Sequence, residues 1–292
     1  MEPQRVHVEI CCEGVRSVAA AAAGGAERVE LCADLGNGGV TPSIGIVRTA
    51  AAILGARRDR RTRLHVLVRP RPGHFVYSDD EWAAVLADVA ALRDAGADGV
   101  VLGALTPGGR VDEAKTGQAV CAARPMKVTF HRAFDVATSE PLETLAVLSR
   151  LQVDYLLTSG RKPSALQGSA CIRQLLQASS TVEIIAGCGV NLDNVAEIVQ
   201  ATGVRQVHAG SAVVCAYSDE AAMGSGVSMG PASAGREAMV SATCPEKVRE
   251  LCRRCNNGEA LEQSGGEAPL GHSRRSRSAF GIEITSDFGQ GC

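Results

Sequence analysis

A four-residue phrase occurs twice near the start of the chain, as Val8-Glu9-Ile10-Cys11 and again, 21 positions later, as Val29-Glu30-Leu31-Cys32. In an extended strand alternate side chains share a face. Val8, Ile10, Val29 and Leu31 then point one way, and Glu9, Cys11, Glu30 and Cys32 the other. A crossover that makes the two strands neighbours brings two soft sulfur donors together. Thiolates select Cu(I), whereas zinc usually takes four ligands, or three and a water. Two thiols without a nearby third therefore suit low-coordinate Cu(I). Cys12 faces the opposite side and ranks below Cys11 and Cys32. Both cysteines are equally consistent with small buried hydrophobes.

A second set of reactive types follows. Arg69 lies in Val68-Arg69-Pro70-Arg71, His131 and Arg132 in Thr129-Phe130-His131-Arg132-Ala133-Phe134-Asp135, and His208 near the end of a late apolar run. Alternation lets Glu9, Glu30, Arg69, His131 and His208 face one interior. Buried charges must be paired, so the two glutamates are expected to face Arg69 and Arg132. One reading is a structural ion-pair network. The other is a small-molecule site with His131 as acid or base, Arg69 as anion clamp, and Glu9 or Glu30 as partner. Gly187-Cys188-Gly189 and Ala209-Gly210-Ser211 suit either a phosphate-binding mouth or plain tight turns. Cys252 and Cys255 form a lone CxxC with no second pair spaced for zinc.

These residues need elements to hold them. Strand-like apolar runs fall at 6–11, 28–32, 64–69, 99–102, 126–131, 153–157, 182–186 and 205–208. Helical patterns fall near 15–24, 43–55, 79–95, 112–123, 140–150, 163–178 and 191–201. Ser78-Asp79-Asp80-Glu81 is a capping box that starts the third helix. Eight strands alternating with helices predict an α/β fold, a (β/α)₈ barrel of the TIM type, in which strand C-terminal ends carry the site. A doubly wound sheet is the alternative. Trp82 is expected in the core.

The pattern weakens after Cys215. A barrel domain over 1–240 and a low-complexity tail over 241–292 are expected, the tail with at most one helix near Pro245–Cys255. The 292 residues are 45% hydrophobic but only 3% aromatic, which suits an aliphatic core around a parallel sheet. A net charge of −2 gives no argument for nucleic-acid or membrane partners. No apolar run approaches the roughly 18 residues of a membrane span, and no secretory signal opens the chain. A cytoplasmic location is expected, and the odd count of 11 cysteines then argues for thiols rather than disulfides. Arg274-Arg275-Ser276-Arg277 admits a nuclear address as well, or simply a solvated tail.

The longer phrases resemble the CutC copper-homeostasis family. They are Val8-Glu9-Ile10-Cys11-Cys12, Gly24 to Cys32, Gly38 to Ser43, Arg69-Pro70-Arg71, Phe75 to Asp79, Gly103-Ala104-Leu105-Thr106, Thr129 to Asp135 and Leu157-Thr158-Ser159-Gly160. The resemblance covers residues 6–212. It implies a (β/α)₈-type barrel, a homo-oligomer, and cytosolic Cu(I) handling in which the copper-linked cysteines are Cys11 and Cys32. It also implies an enzyme-like pocket around Glu9, Glu30, Arg69, His131 and Arg132 with no settled substrate. The chain departs from the family after His208, at Ala209 to Val213 and at Gly224 to Gly230. Three readings follow: a Cu(I)-binding protein, a barrel enzyme on a small anionic metabolite, and a scaffold whose pocket closure is lost.

Overall fold

Short aliphatic runs alternate with amphipathic stretches, and each run becomes a strand walled by helices on its outer face. The structure is a computed structural model that describes residues 5–57, 62–218 and 239–256. In chain order the elements are β1 (His7–Glu13), α1 (Val15–Gly24), β2 (Arg28–Cys32), α2 (Ile44–Gly55), β3 (Arg63–Leu67), α3 (Asp79–Asp94), β4 (Gly99–Leu102) and α4 (Glu113–Ala123). They continue as β5 (Lys127–Phe130), α5 (Pro141–Arg150), β6 (Tyr155–Thr158), α6 (Ser169–Ala178), β7 (Glu183–Ala186), α7 (Val195–Thr202) and β8 (Gln206–Ala209). The eight strands are parallel, pair in sequence order, and close with β8 against β1. This is the expected (β/α)₈ barrel.

The capping box at Ser78 and Glu81 forms on both sides and starts α3. Trp82 is buried, and its indole N–H donates to Gln118 at 3.0 Å. The expected helix at 163–178 begins only at Ser169, because turns occupy the residues before it. Two apolar layers separate cleanly. Ile10, Cys12, Val29 and Leu31 belong to the large core between sheet and helices. Cys11, Cys32, Leu67 and Val101 form a small cluster inside the barrel. The alternation read in the sequence therefore holds, and Cys12 faces away from the lumen.

The segment after β8 carries more structure than its composition suggested. An antiparallel pair, β9 (Val214–Ser218) and β10 (Met239–Thr243), leads to α8 (Pro245–Asn256). The helix buries Val248, Leu251 and Cys255 and packs against α1 and α7, completing the helix ring. The approach is close at Gly24, where an added Cβ would lie 2.5 Å from Val248 Cβ. The compact unit takes in α8. Cys255 is part of that packing, and the Cys252 thiol faces the Gly25 carbonyl at 3.8 Å. The departures read at Gly224 to Gly230, the basic cluster Arg274–Arg277 and most of the tail lie outside the described residues. So do residues 58–61, before β3. Among the described residues no helix is long and apolar enough to cross a membrane.

Candidate metal and small-molecule site

Cys11 and Cys32 meet at the C-terminal mouth of the barrel, with Sγ atoms 3.7 Å apart. The register is not the one their matching phrases imply. Cys11 stands beside Glu30, and Cys32 beside Glu13, so the two cysteines are offset by two positions. Strand tilt in a closed barrel and the shared inward face still bring the sulfurs together. The Cys32 thiol also points to the Cys12 carbonyl at 3.5 Å. The Cys11–Cys32 hydrogen bond, burial and the nearby Glu30 carboxylate push the Cys11 thiol well above its ordinary pKa. A metal must therefore displace a proton from it.

The glutamates are satisfied differently from the expectation. Glu9 is 1% exposed and accepts from Arg28 Nε and from His208 Nδ1, the latter at 2.6 Å. Burial alone would raise its pKa, but Arg28 and His208 outweigh that and hold the carboxyl well below the usual range. His208 Nε2 lies 3.5 Å from Glu30. Burial disfavours a charged His208, yet the bond to Glu9 and the Glu30 charge raise its pKa. Burial also raises that of Glu30, with His208 opposing. Arg28 continues the chain to Gln206 at 2.7 Å, and Gln206 bonds Glu183. A connected polar line thus runs down the lumen.

Arg69 and Arg132 do not serve these carboxylates. Arg69 is spent on backbone, donating to the Gly38 and Gly39 carbonyls at 3.0 Å and to Gly73 at 2.8 Å, with Phe75 against its guanidinium. Arg132 bonds Asp135 at 2.8 Å and Ser159 at 3.2 Å. The physical reason is position. Both arginines sit beyond the strand ends, Arg69 in a loop and Arg132 at the start of a 3-10 turn (Arg132–Val136), whereas Glu9 is one layer deeper, opposite Arg28 in the register. Arg28 was missed, although its place two residues before Glu30 on one strand put it on the same face.

His131 forms the far wall. Its Nδ1 accepts from the Ala133 N–H at 3.2 Å, and its ring packs on Phe75 with centroids 4.7 Å apart. Its Nε2 is buried without a hydrogen-bond partner among the described residues. Burial, aided by Arg69, lowers its pKa to about 3, so the ring is neutral near pH 7. An Nδ1 acceptor then leaves the proton on Nε2. A cavity of about 720 Å³ lies at the mouth, bordered by Cys11, Glu30, Cys32, Arg69, His131, Arg132 and His208. Gly189 and Gly210 border it too, as do Ala216 and Thr243 of the β9–β10 pair. Of the two leading sets, Cys11 and Cys32 and then Glu9, Glu30, Arg69, His131 and Arg132, only Glu9 does not border this cavity.

Comparison with known proteins follows the same span. The profile of the CutC family matches residues 6–213. A protein of Mesorhizobium japonicum named family protein CutC is 47% identical over 203 residues, covering 69% of this chain and 76% of its own. A namesake from Edwardsiella ictaluri is 40% identical over 222 residues, 76% of this chain and 85% of its own. Among solved structures, a CutC from Streptococcus agalactiae named for copper homeostasis aligns with a TM-score of 0.66. It shares 30% identity over 70% of this chain and 98% of that one. TrpF from Jonesia denitrificans, at 13% identity and a TM-score of 0.50, shares the fold alone.

Proposed function

This chain belongs to the CutC family, and from that premise we propose that it binds Cu(I) through Cys11 and Cys32 in copper homeostasis. The observation that carries the reading is the 3.7 Å sulfur pair at the barrel mouth. With metal–sulfur bonds of about 2.3 Å, that gap subtends about 110° at one ion, within reach of both thiolates. A linear S–Cu–S arrangement needs about 4.6 Å at that bond length, so a bent, three-coordinate ion fits with less movement. Soft sulfur donors in a largely apolar patch with Leu67 and Val101 favour Cu(I) over hard cations. The test is anaerobic titration of the reduced full chain against a competing Cu(I) chelator. Cys11→Ser with Cys32→Ser is expected to lose tight binding, and parent-like affinity in that double variant overturns the assignment. Cytoplasmic localisation and a homo-oligomeric state accompany this reading as proposals.

A second reading rests on the neutral His131, whose Nε2 has no partner among the described residues and which borders a cavity large enough for a metabolite. In it, the mouth takes a small anionic molecule whose oxygen accepts from His131, with Arg132 supplying positive charge. A thermal-shift screen of small phosphates and carboxylates addresses it. A stabilising ligand whose effect persists in His131→Gln counts against this role for His131.

A further inference from the structure

One group of donors around the mouth has no part in the copper reading apart from Cys11. The Cys11 sulfur, a Glu30 oxygen and a His208 nitrogen all lie within 4.8 Å of one another. We propose that Cys11, Glu30 and His208 form an alternative site for a divalent ion of the zinc class, overlapping the copper pair at Cys11, its fourth position open to the mouth cavity.

Three observations carry this. First, the donor types are mixed sulfur, oxygen and nitrogen, the kind of set that zinc accepts in three-ligand sites with an open position. Ligand–ligand edges in such a tetrahedron are about 3.3–3.8 Å. The His208 Nε2–Glu30 gap of 3.5 Å is already in that range, and the donor atoms all lie within 4.8 Å of one another. Second, His208 is held as metal-binding histidines are held. Its Nδ1–H donates to Glu9 at 2.6 Å, and Glu9 is itself fixed by Arg28. A carboxylate behind one ring nitrogen orients the other for a metal, and Nε2 is the nitrogen on the Glu30 side. Third, the charges balance. One thiolate and the Glu30 carboxylate neutralise a divalent ion, while Arg28 neutralises Glu9. Two thiolates on Cu(I) leave a net negative charge beside Glu30, which is costly in a buried place. All three donors border the cavity, so the open position faces the space where a second molecule sits. On binding, Cys11 gives up its proton and the imidazole binds in its Nδ1–H form.

Co²⁺ is the probe, added to the reduced full chain without oxygen. The expected result is a thiolate-to-cobalt charge-transfer band with four-coordinate d–d bands, bleached by Zn²⁺. Cys11→Ser abolishes it, Cys32→Ser leaves it in place, and His208→Ala and Glu30→Gln weaken binding at least tenfold. Glu9→Gln, which touches no metal, weakens it about 10–100-fold. X-ray absorption at the zinc edge of the parent chain needs no variant and should find one sulfur among nitrogen and oxygen neighbours. Two sulfurs at the zinc, a cobalt band that survives Cys11→Ser, or one that needs Cys32 but not His208 overturns the site. The chelator competition with Cu(I), run on Cys32→Ser in parallel, separates this outcome from failure of the copper reading.

Discussion

At the residue scale the deciding partner is Arg28. A buried carboxylate persists only with a cation beside it, and Arg28 is the strand residue placed opposite Glu9. Arg28→Met should cost about 3–5 kcal/mol, the usual loss on breaking a buried pair, read as a fall in urea midpoint. A cost under 1 kcal/mol would show that the pair is not structural. His131 supplies a pH signature. It is neutral in the fold with a pKa near 3, but reaches about 6.5 when unfolded. As pH falls from about 6.5 toward 3 the unfolded chain takes up a proton that the fold refuses, so this group's share of stability declines. His131 ring resonances should accordingly not titrate between pH 7 and 5, and an imidazolium shift at pH 6 contradicts the buried, neutral ring. Gly103 makes room for that ring, since an added Cβ would stand 2.6 Å from His131 Nδ1. Much of this was legible. Strand alternation alone placed Glu9, Cys11, Glu30 and Cys32 on one face. Register was not legible, because repeated phrases say nothing about strand offset in a closed barrel. For that reason Arg69 and Arg132, rather than Arg28, were expected beside the glutamates.

At the element scale α8 is the instructive piece. Val248, Leu251 and Cys255 recur at helical spacing, a stripe readable in the sequence but set within a Gly- and Ser-rich stretch. The helix was expected; its docking was not, because the groove it fills is made by Gly24 on α1, more than 200 residues earlier. A side chain at Gly24 would collide with Val248 and with the Pro245 carbonyl, 2.8 Å from the added Cβ. Leu251→Ala should cost about 2–5 kcal/mol, as buried leucines do, and ending the chain after Thr243 should remove cooperative unfolding by circular dichroism. If that shortened chain unfolds as sharply as the parent, α8 is an ornament and not part of the barrel wall. The β9–β10 pair matters for the site as well, since Thr243 N–H donates to the Ser17 hydroxyl at 3.2 Å and ties this wall of the cavity to α1.

At the scale of the whole molecule the barrel sorts its thiols into two populations. Cys11, Cys12 and Cys32 are buried on strands, the first and last toward the lumen and Cys12 toward the helices. Cys121 is exposed on α4, and Cys171 and Cys188 are partly so. Burial pushes the Cys12 thiol up, and the Cys11 thiol is raised by its bond to Cys32 as well as by burial. Thiolate is the reactive form, so for Cys11 and Cys12 burial lowers access and the raised pKa lowers reactivity together. Brief alkylation of the reduced native chain, mapped by mass spectrometry, should label Cys121 first and leave Cys11 and Cys12 unmodified until the barrel unfolds. Loading with Cu(I) before denaturation should then slow labelling of Cys11 and Cys32 but not of Cys12, because in the proposed copper site only the lumen pair shares an ion. Equal protection of all three would place the copper elsewhere, and early labelling of Cys11 would mean that the mouth opens on the timescale of the reagent. The same closure that fixes the lumen pair determines which sulfurs an ion can reach, so a map of protection reads barrel geometry and metal choice in one experiment.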